Sequence, residues 1–215
     1  MTAGTGAATL LIIAKEPVPG RVKTRLTPPY TPHEAAALAE AALADTLRTA
    51  LQVPSRRRLV VLDGDPGPWL PPGFDVVPQV SGGLDERIAA AFSLCHDGPA
   101  VLIGMDTPQL TPDLLDDVGR DGHDAWFGPA ADGGFWALGL ADPSRAGALV
   151  RGTPMSTDRT GATQRRRLAE AGLTIRDLPV LRDVDTAADA ASVAGLCRPG
   201  SSFATLLTSL AEVTR

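Results

Sequence analysis

The chain has 215 residues, 44% of them hydrophobic and 21% charged, which fits one water-soluble globular domain over residues 1–215. A formal net charge of -5 argues against nucleic acid as the main partner, because polyanions select basic surfaces. The two cysteines, Cys95 and Cys197, lie outside any metal-type spacing and are expected to be reduced and at least partly buried, as in a cytoplasmic protein.

In chain order, no positive charge precedes the first apolar run, and that run is too short to span a bilayer, so neither a signal peptide nor a membrane span is expected. Apolar runs then alternate with stretches of helical period, the pattern of βαβ units. The runs predict strands over residues 9–14, 58–62, 75–78, 100–103, 125–128, 135–140 and 174–178. Helices are predicted over 31–51, 84–95, 111–118, 143–150, 160–171, 186–196 and 203–213. Thr31, Pro32 and Glu34 open the first of these as cap, first-turn proline and capping-box partner. Between 125 and 140 two strands follow each other with only a glycine turn between them. An antiparallel hairpin inserted in a mostly parallel sheet fits that break. The expected fold class is therefore α/β, a three-layer α/β/α sandwich around a mixed, mostly parallel sheet.

The segment AKEPVPGRVKTRL, residues 14–26, leaves the first strand and carries Lys15, Arg21, Lys23 and Arg25 around Gly20. Cations at the carboxyl end of a first strand are placed where α/β sheets hold phosphates. In VLIGMDTPQL, residues 101–110, a buried-type strand ends at Asp106. This carboxylate is either a hard oxygen ligand for Mg²⁺ or Mn²⁺ or a group that orders the turn. In RDVDTAAD, residues 182–189, Thr186 and Asp189 form a capping box. If the stretch is extended, Asp183 and Asp185 share a face, and one of them completes the metal site or merely favours the helix dipole.

Asp132-Gly133-Gly134 reads as a tight turn, alone or with a ligand contact in which Asp132 binds acceptor hydroxyls or acts as a base. Gln79, Gly82, Gly83 and Arg87 frame a helix start that either binds a base edge or an anion, or is simply an amphipathic helix. The basic triplets 56–58 and 165–167 read as solvated faces. A phosphate-binding GxxxxGK[ST] loop, a GxGxxG fingerprint after the first strand and a GxSxG elbow are all missing from the sequence. The three histidines share no ligand spacing, so a Zn²⁺ site is not expected.

Taken in order, four blocks resemble a family of small bacterial proteins in the glycosyltransferase-A superfamily. They are the loop at 14–26, Gly104 to Pro108, Gly128 to Phe135, and Asp183 to Asp189. The resemblance implies a nucleotide-diphospho-sugar transferase fold with a divalent metal near Asp106. The chain is also distantly similar to small-molecule nucleotidyltransferases, whose first loop holds a triphosphate with an Arg and a Lys, here matched by Arg25 and Lys23. It departs from these patterns at Ala14-Lys15, where nucleotidyltransferases carry a glycine pair, and at Phe135, where the family prefers Tyr. Gly83 and Asp85 stand where the family often has Asp and Gly.

The expected activity is a Mg²⁺- or Mn²⁺-dependent transfer from a nucleotide-activated donor to a small-molecule acceptor. Nucleotidyl transfer from an NTP to a phosphate or carboxylate group is the leading expectation. Glycosyl transfer from a nucleotide sugar, with Asp132 as base, is the alternative, and a non-catalytic nucleotide-binding module is a third. The donor is expected against Ala14, Lys15, Gly20, Lys23, Arg25, Gln79, Gly82, Gly83 and Arg87, with Lys23 and Arg25 neutralising its leaving phosphates. The metal is expected on Asp106 and Asp185, and the acceptor against Asp132, Gly133 and Gly134.

Overall fold

A computed structural model describes residues 7–213. Seven strands form one sheet: β1 (Thr9–Lys15), β2 (Arg57–Asp63), β3 (Asp75–Pro78), β4 (Ala100–Ile103), β5 (Ala125–Pro129), β6 (Phe135–Leu140) and β7 (Ile175–Asp177). Their order across the sheet is β3-β2-β1-β4-β6-β5-β7, and β6 alone runs antiparallel to its neighbours. The hairpin predicted between 125 and 140 is therefore present. Its turn lies at the same edge as the carboxyl ends of the parallel strands, because β5 ends and β6 begins there.

Six α-helices cover the sheet: α1 (Pro32–Gln52), α2 (Leu84–Phe92), α3 (Ala146–Val150), α4 (Thr160–Glu170), α5 (Ala187–Ala194) and α6 (Ser202–Val213). Strand alternation explains why runs such as Leu10-Leu11-Ile12 are apolar throughout. Leu10 and Ile12 pack with Leu43 and Leu47 of α1, while Leu11 packs with Ile88 and Phe92 of α2 and Leu168 of α4. Both faces of the central strands are covered, so nearly every apolar position is buried, at about 2 kcal/mol for each large aliphatic side chain. A further apolar cluster joins α1 to α5 and α6 through Leu38, Val193 and Phe203.

Helix α1 begins as its sequence dictates: the Thr31 side chain accepts from Glu34 N, and Glu34 returns the bond to Thr31 N at 2.7 Å. Asp45, in the middle of α1, is buried and serves the start of α6. Its carboxylate accepts from Ser201 Oγ, Ser202 N and Phe203 N at 2.6–3.0 Å, and it pairs with Arg48 at 2.6 Å.

Two predicted helices are corrected. Residues 111–118 form only a short 3-10 turn at Pro112–Leu114 followed by further turns. Pro112 begins this segment and Gly119 (φ 83°) ends it, leaving too few residues to repay α-helix nucleation. The stretch 143–150 splits into a 3-10 turn, Pro143–Arg145, and the five-residue α3. Both cysteines are unbridged, Cys95 buried and Cys197 partly so. Among the described residues, no helix is long and apolar enough to cross a membrane.

Candidate active site

A cavity of about 750 Å³ opens at the carboxyl edge of the parallel strands, within the size range of small-molecule sites. Its lining follows the strand order. The end of β1 brings Lys15 and the loop after it Arg21, Lys23 and Arg25; α2 brings Arg87; the loop after β4 brings Asp106. The β5–β6 turn brings Asp132, and the segment before α5 brings Asp183 and Asp185.

Lys23 holds the centre. It has a left-handed backbone (φ 46°, ψ 39°), a conformation that costs a non-glycine residue about 1 kcal/mol. That kink sends its ammonium into the crevice, 2.6 Å from Asp106 Oδ2 and 2.9 Å from Asp185 Oδ1. Arg25 Nη2 donates to the other oxygen of Asp185 at 2.5 Å. Burial on its own would lower the Lys23 pKa, but the fields of Asp106 and Asp185 outweigh it and raise the pKa above the usual lysine range.

The acidic segment is tied in place by backbone. Val184 N donates to Asp106 O at 3.0 Å, and Gln109 Nε2 donates to Arg182 O at 2.7 Å. Val184 points into the core, so Asp183 and Asp185 turn the other way, into the cavity. The capping box follows as expected, with Thr186 accepting from Asp189 N. Asp183 Oδ1 is shut off from water and has no hydrogen-bond partner among the described residues. Burial first, then the nearby charges of Asp106 and Asp132, push its pKa up to about 8.

These carboxylates suit a hard divalent ion. Asp106 and Asp185 already converge on one positive charge, the Lys23 ammonium. Among the described residues, no three His, Cys, Asp or Glu side chains stand ready as a metal cage. Mg²⁺ does not require one, since it is commonly held by one or two carboxylates together with substrate phosphates.

The remaining predicted residues divide. Ala14 and Gly134 line the cavity, whereas Gly20, Gly82, Gly83 and Gly133 are not among its lining residues. Gly20 (φ 77°) shapes the cationic loop from behind, and Gly82 O accepts from Arg87 Nε at 3.0 Å. Gln79 lines the cavity and is also tied to the scaffold. Its amide nitrogen donates to Ala14 O and Val61 O at 2.8 and 3.1 Å, and its oxygen accepts from Arg87 at 3.3 Å. Both donors of the amide nitrogen are taken by backbone carbonyls, and its oxygen keeps a second acceptor position.

Arg87 also pairs with Asp63 at 3.3 Å, while Lys15 and Arg21 have no carboxylate partner among the described residues. Two further stretches line the cavity, and the first carries no sequence motif. Met155, Ser156, Thr157, Asp158 and Thr160, from the loop into α4, form one wall, and Phe135 and Trp136 of β6 add aromatic surface.

Residues 33–157 match the model of a family described as "Uncharacterized protein conserved in bacteria (DUF2064)". No curated protein matches the sequence. A solved structure from Desulfovibrio desulfuricans G20, provisionally designated a nucleotide-diphospho-sugar transferase, has a TM-score of 0.85 at 25% identity, covering 97% of this chain and 95% of that one. A cytidylyltransferase from Leptospira borgpetersenii serovar Hardjo-bovis gives a TM-score of 0.56 at 13% identity, over 97% and 96% of the two chains. CMP:2-keto-3-deoxy-manno-octonic acid synthetase, solved with CTP, gives 0.55 at 14% identity, over 87% and 97%. The fold is that of the nucleotide-diphospho-sugar transferases.

Proposed function

The chain belongs to the DUF2064 family, and from its fold and the charges of its crevice we propose a transferase that takes a nucleotide-activated donor, nucleotidyl transfer from an NTP being the leading reading. The observation that carries it is a surplus of positive charge at one end. Lys15 and Arg21 are unpaired by protein carboxylates and stand beside Lys23 and Arg25, which already answer Asp106 and Asp185. Two free cations next to a charge-balanced centre suit a polyphosphate.

In this reading the acceptor oxygen attacks the α-phosphorus. The bond from that phosphorus to the bridging oxygen breaks, and pyrophosphate leaves with the electron pair. Lys15, Arg21 and Lys23 offset the charge that builds on the leaving group, a positioning and electrostatic form of catalysis. Asp132 takes the acceptor proton. A divalent cation held by Asp106 and Asp185 would supply further neutralisation of the phosphate oxygens. Gln79 and Arg87 brace the wall behind the donor.

Glycosyl transfer from a nucleotide sugar is the second reading, favoured by the designation of the Desulfovibrio structure and by the carboxylate of Asp132 at the crevice. The two are separated by product. Each NTP is incubated with Mg²⁺ and a mixture of small metabolites, and pyrophosphate is measured. Pyrophosphate appearing only when an acceptor is present supports nucleotidyl transfer. Release of a nucleoside diphosphate from a nucleotide sugar, without pyrophosphate, supports glycosyl transfer in its place.

A further inference from the structure

The crevice is divided by charge. Its five lining cations, Lys15, Arg21, Lys23, Arg25 and Arg87, come from the end of β1, the loop after it and α2. Its five lining carboxylates, Asp106, Asp132, Asp158, Asp183 and Asp185, come from β4 and the elements beyond it, and past Asp106 no Lys or Arg lines the cavity. Lys23 and Arg25 cancel against Asp106 and Asp185 at the boundary. What remains is a cationic end, Lys15 and Arg21, and an anionic end, Asp132 and Asp158. Neither of these two carboxylates has an ion pair among the described residues.

The anionic end is built rigidly. Gly161 N donates to Gly133 O at 2.8 Å, stitching the start of α4 to the β5–β6 turn. A Cβ on Gly133 (φ 91°) would overlap the Asp158 carbonyl, and one on Gly161 would overlap the Gly134 carbonyl. Asp132 is fixed in the same turn, its Oδ1 accepting from Gly134 N at 2.8 Å. Ser156, in a left-handed backbone (φ 58°), lines this wall together with Met155 and Thr157. Asp183, whose Oδ1 is buried and unpartnered among the described residues, lines the same cavity.

Resting on the donor reading above, we infer that this end is the acceptor subsite and that it takes a hydroxyl-bearing molecule, neutral or carrying an ammonium group, without phosphate or carboxylate. An acceptor phosphate there would face Asp132 and Asp158 with no cation to offset it, the arrangement that charge complementarity rejects. A hydroxyl suits it: the hydroxyl donates to Asp132, its oxygen bonds to the transferred group, and its proton passes to that carboxylate. Asp158 and Ser156 are left to hold neighbouring hydroxyl or ammonium groups. This departs from the anionic acceptor expected on sequence grounds.

The test uses matched probes on the nucleotide-loaded protein: ethanolamine, glycerol and glucosamine, each against its own phosphate ester. The nucleotide is one that raises the melting temperature, and its failure to do so would count against the donor reading rather than this one. Binding is followed by calorimetry. At least one unphosphorylated probe is expected to bind about tenfold more tightly than its ester, the scale of one like-charge contact in a partly solvated crevice. Asp158→Asn is expected to erase most of that preference while leaving the nucleotide-induced shift in place. Tighter binding of the phosphate esters, a preference untouched by Asp158→Asn, or no binding by any of the six probes would overturn the inference.

Discussion

Lys23 and Asp106 are separated by 83 residues in sequence and by 2.6 Å in the fold, Nζ to Oδ2. Asp185 closes the other side of the same ammonium at 2.9 Å. One lysine thus joins the first loop, the loop after β4 and the segment before α5, and under the proposed function a divalent cation held by Asp106 and Asp185 would compete with its ammonium.

Replacing Lys23 with Met removes the only cation between two partly buried carboxylates. The expected loss is about 2–3 kcal/mol of stability, below the roughly 3–5 kcal/mol for breaking a fully buried ion pair, because the carboxylates retain some solvent contact. Millimolar Mn²⁺ should restore part of the lost melting temperature in this variant and change the wild type less. Thermal denaturation with and without Mn²⁺ checks both points; equal Mn²⁺ shifts in the two proteins would separate Lys23 from the metal position.

Gly161→Ala places a methyl group against the Gly134 carbonyl, and neither backbone can retreat without opening the β5–β6 turn. A destabilisation of about 1–3 kcal/mol is expected in chemical denaturation. Gly147→Ala, whose Cβ meets open space in α3, serves as the control and should be neutral or slightly stabilising.

Gln79→Leu should weaken binding of all four NTPs by a similar factor without reordering them, since the amide holds Ala14 O and Val61 O. Dissociation constants for the four nucleotides decide the matter. A change in base preference would return Gln79 to the reading role expected from sequence.

Asp121 lies away from the crevice. Partial burial alone would raise its pKa, but hydrogen bonds from Arg176, His123 and the Trp126 indole prevail and hold it down at about 2. A carboxylate whose pKa is depressed in the fold contributes stability that is present above its unfolded value and is lost as pH falls through the folded one. The wild type should therefore lose stability between about pH 4 and pH 2, and Asp121→Asn should flatten part of that decline. Melting temperatures from pH 6 to pH 2 measure it.

Local chemistry made much of this legible in the sequence. The Thr31–Glu34 box, the hairpin at 125–140 and the three-layer class follow from caps, turns and periodicity, all of which act between near neighbours. Lys23, Arg25 and Asp106 follow the strands β1 and β4 in sequence, and Asp185 joins them from the stretch before α5, as an extended reading of that stretch allows. What stayed hidden depends on partners far along the chain. The Gln79 amide nitrogen donates to carbonyls of β1 and β2, and the triplet arginines Arg57 and Arg165, exposed as expected, pair with Asp75 and Asp177. The wall from Met155 to Asp158 has the composition of an ordinary loop, and the close approach of Gly133 to Asp158 with the Gly161–Gly133 hydrogen bond brings it to the crevice.

The central claim is that Lys15 and Arg21 receive the phosphates of a nucleotide-activated donor. It is tested most directly by titrating NTPs and nucleotide sugars, with Mg²⁺, into the wild type and into Lys15→Ala/Arg21→Ala, and following the melting temperature. The account predicts that at least one nucleotide stabilises the wild type, since a ligand bound only by the native state must raise its midpoint, and that the double variant loses most of that shift. No stabilisation by any nucleotide, or equal shifts in both proteins, would contradict it.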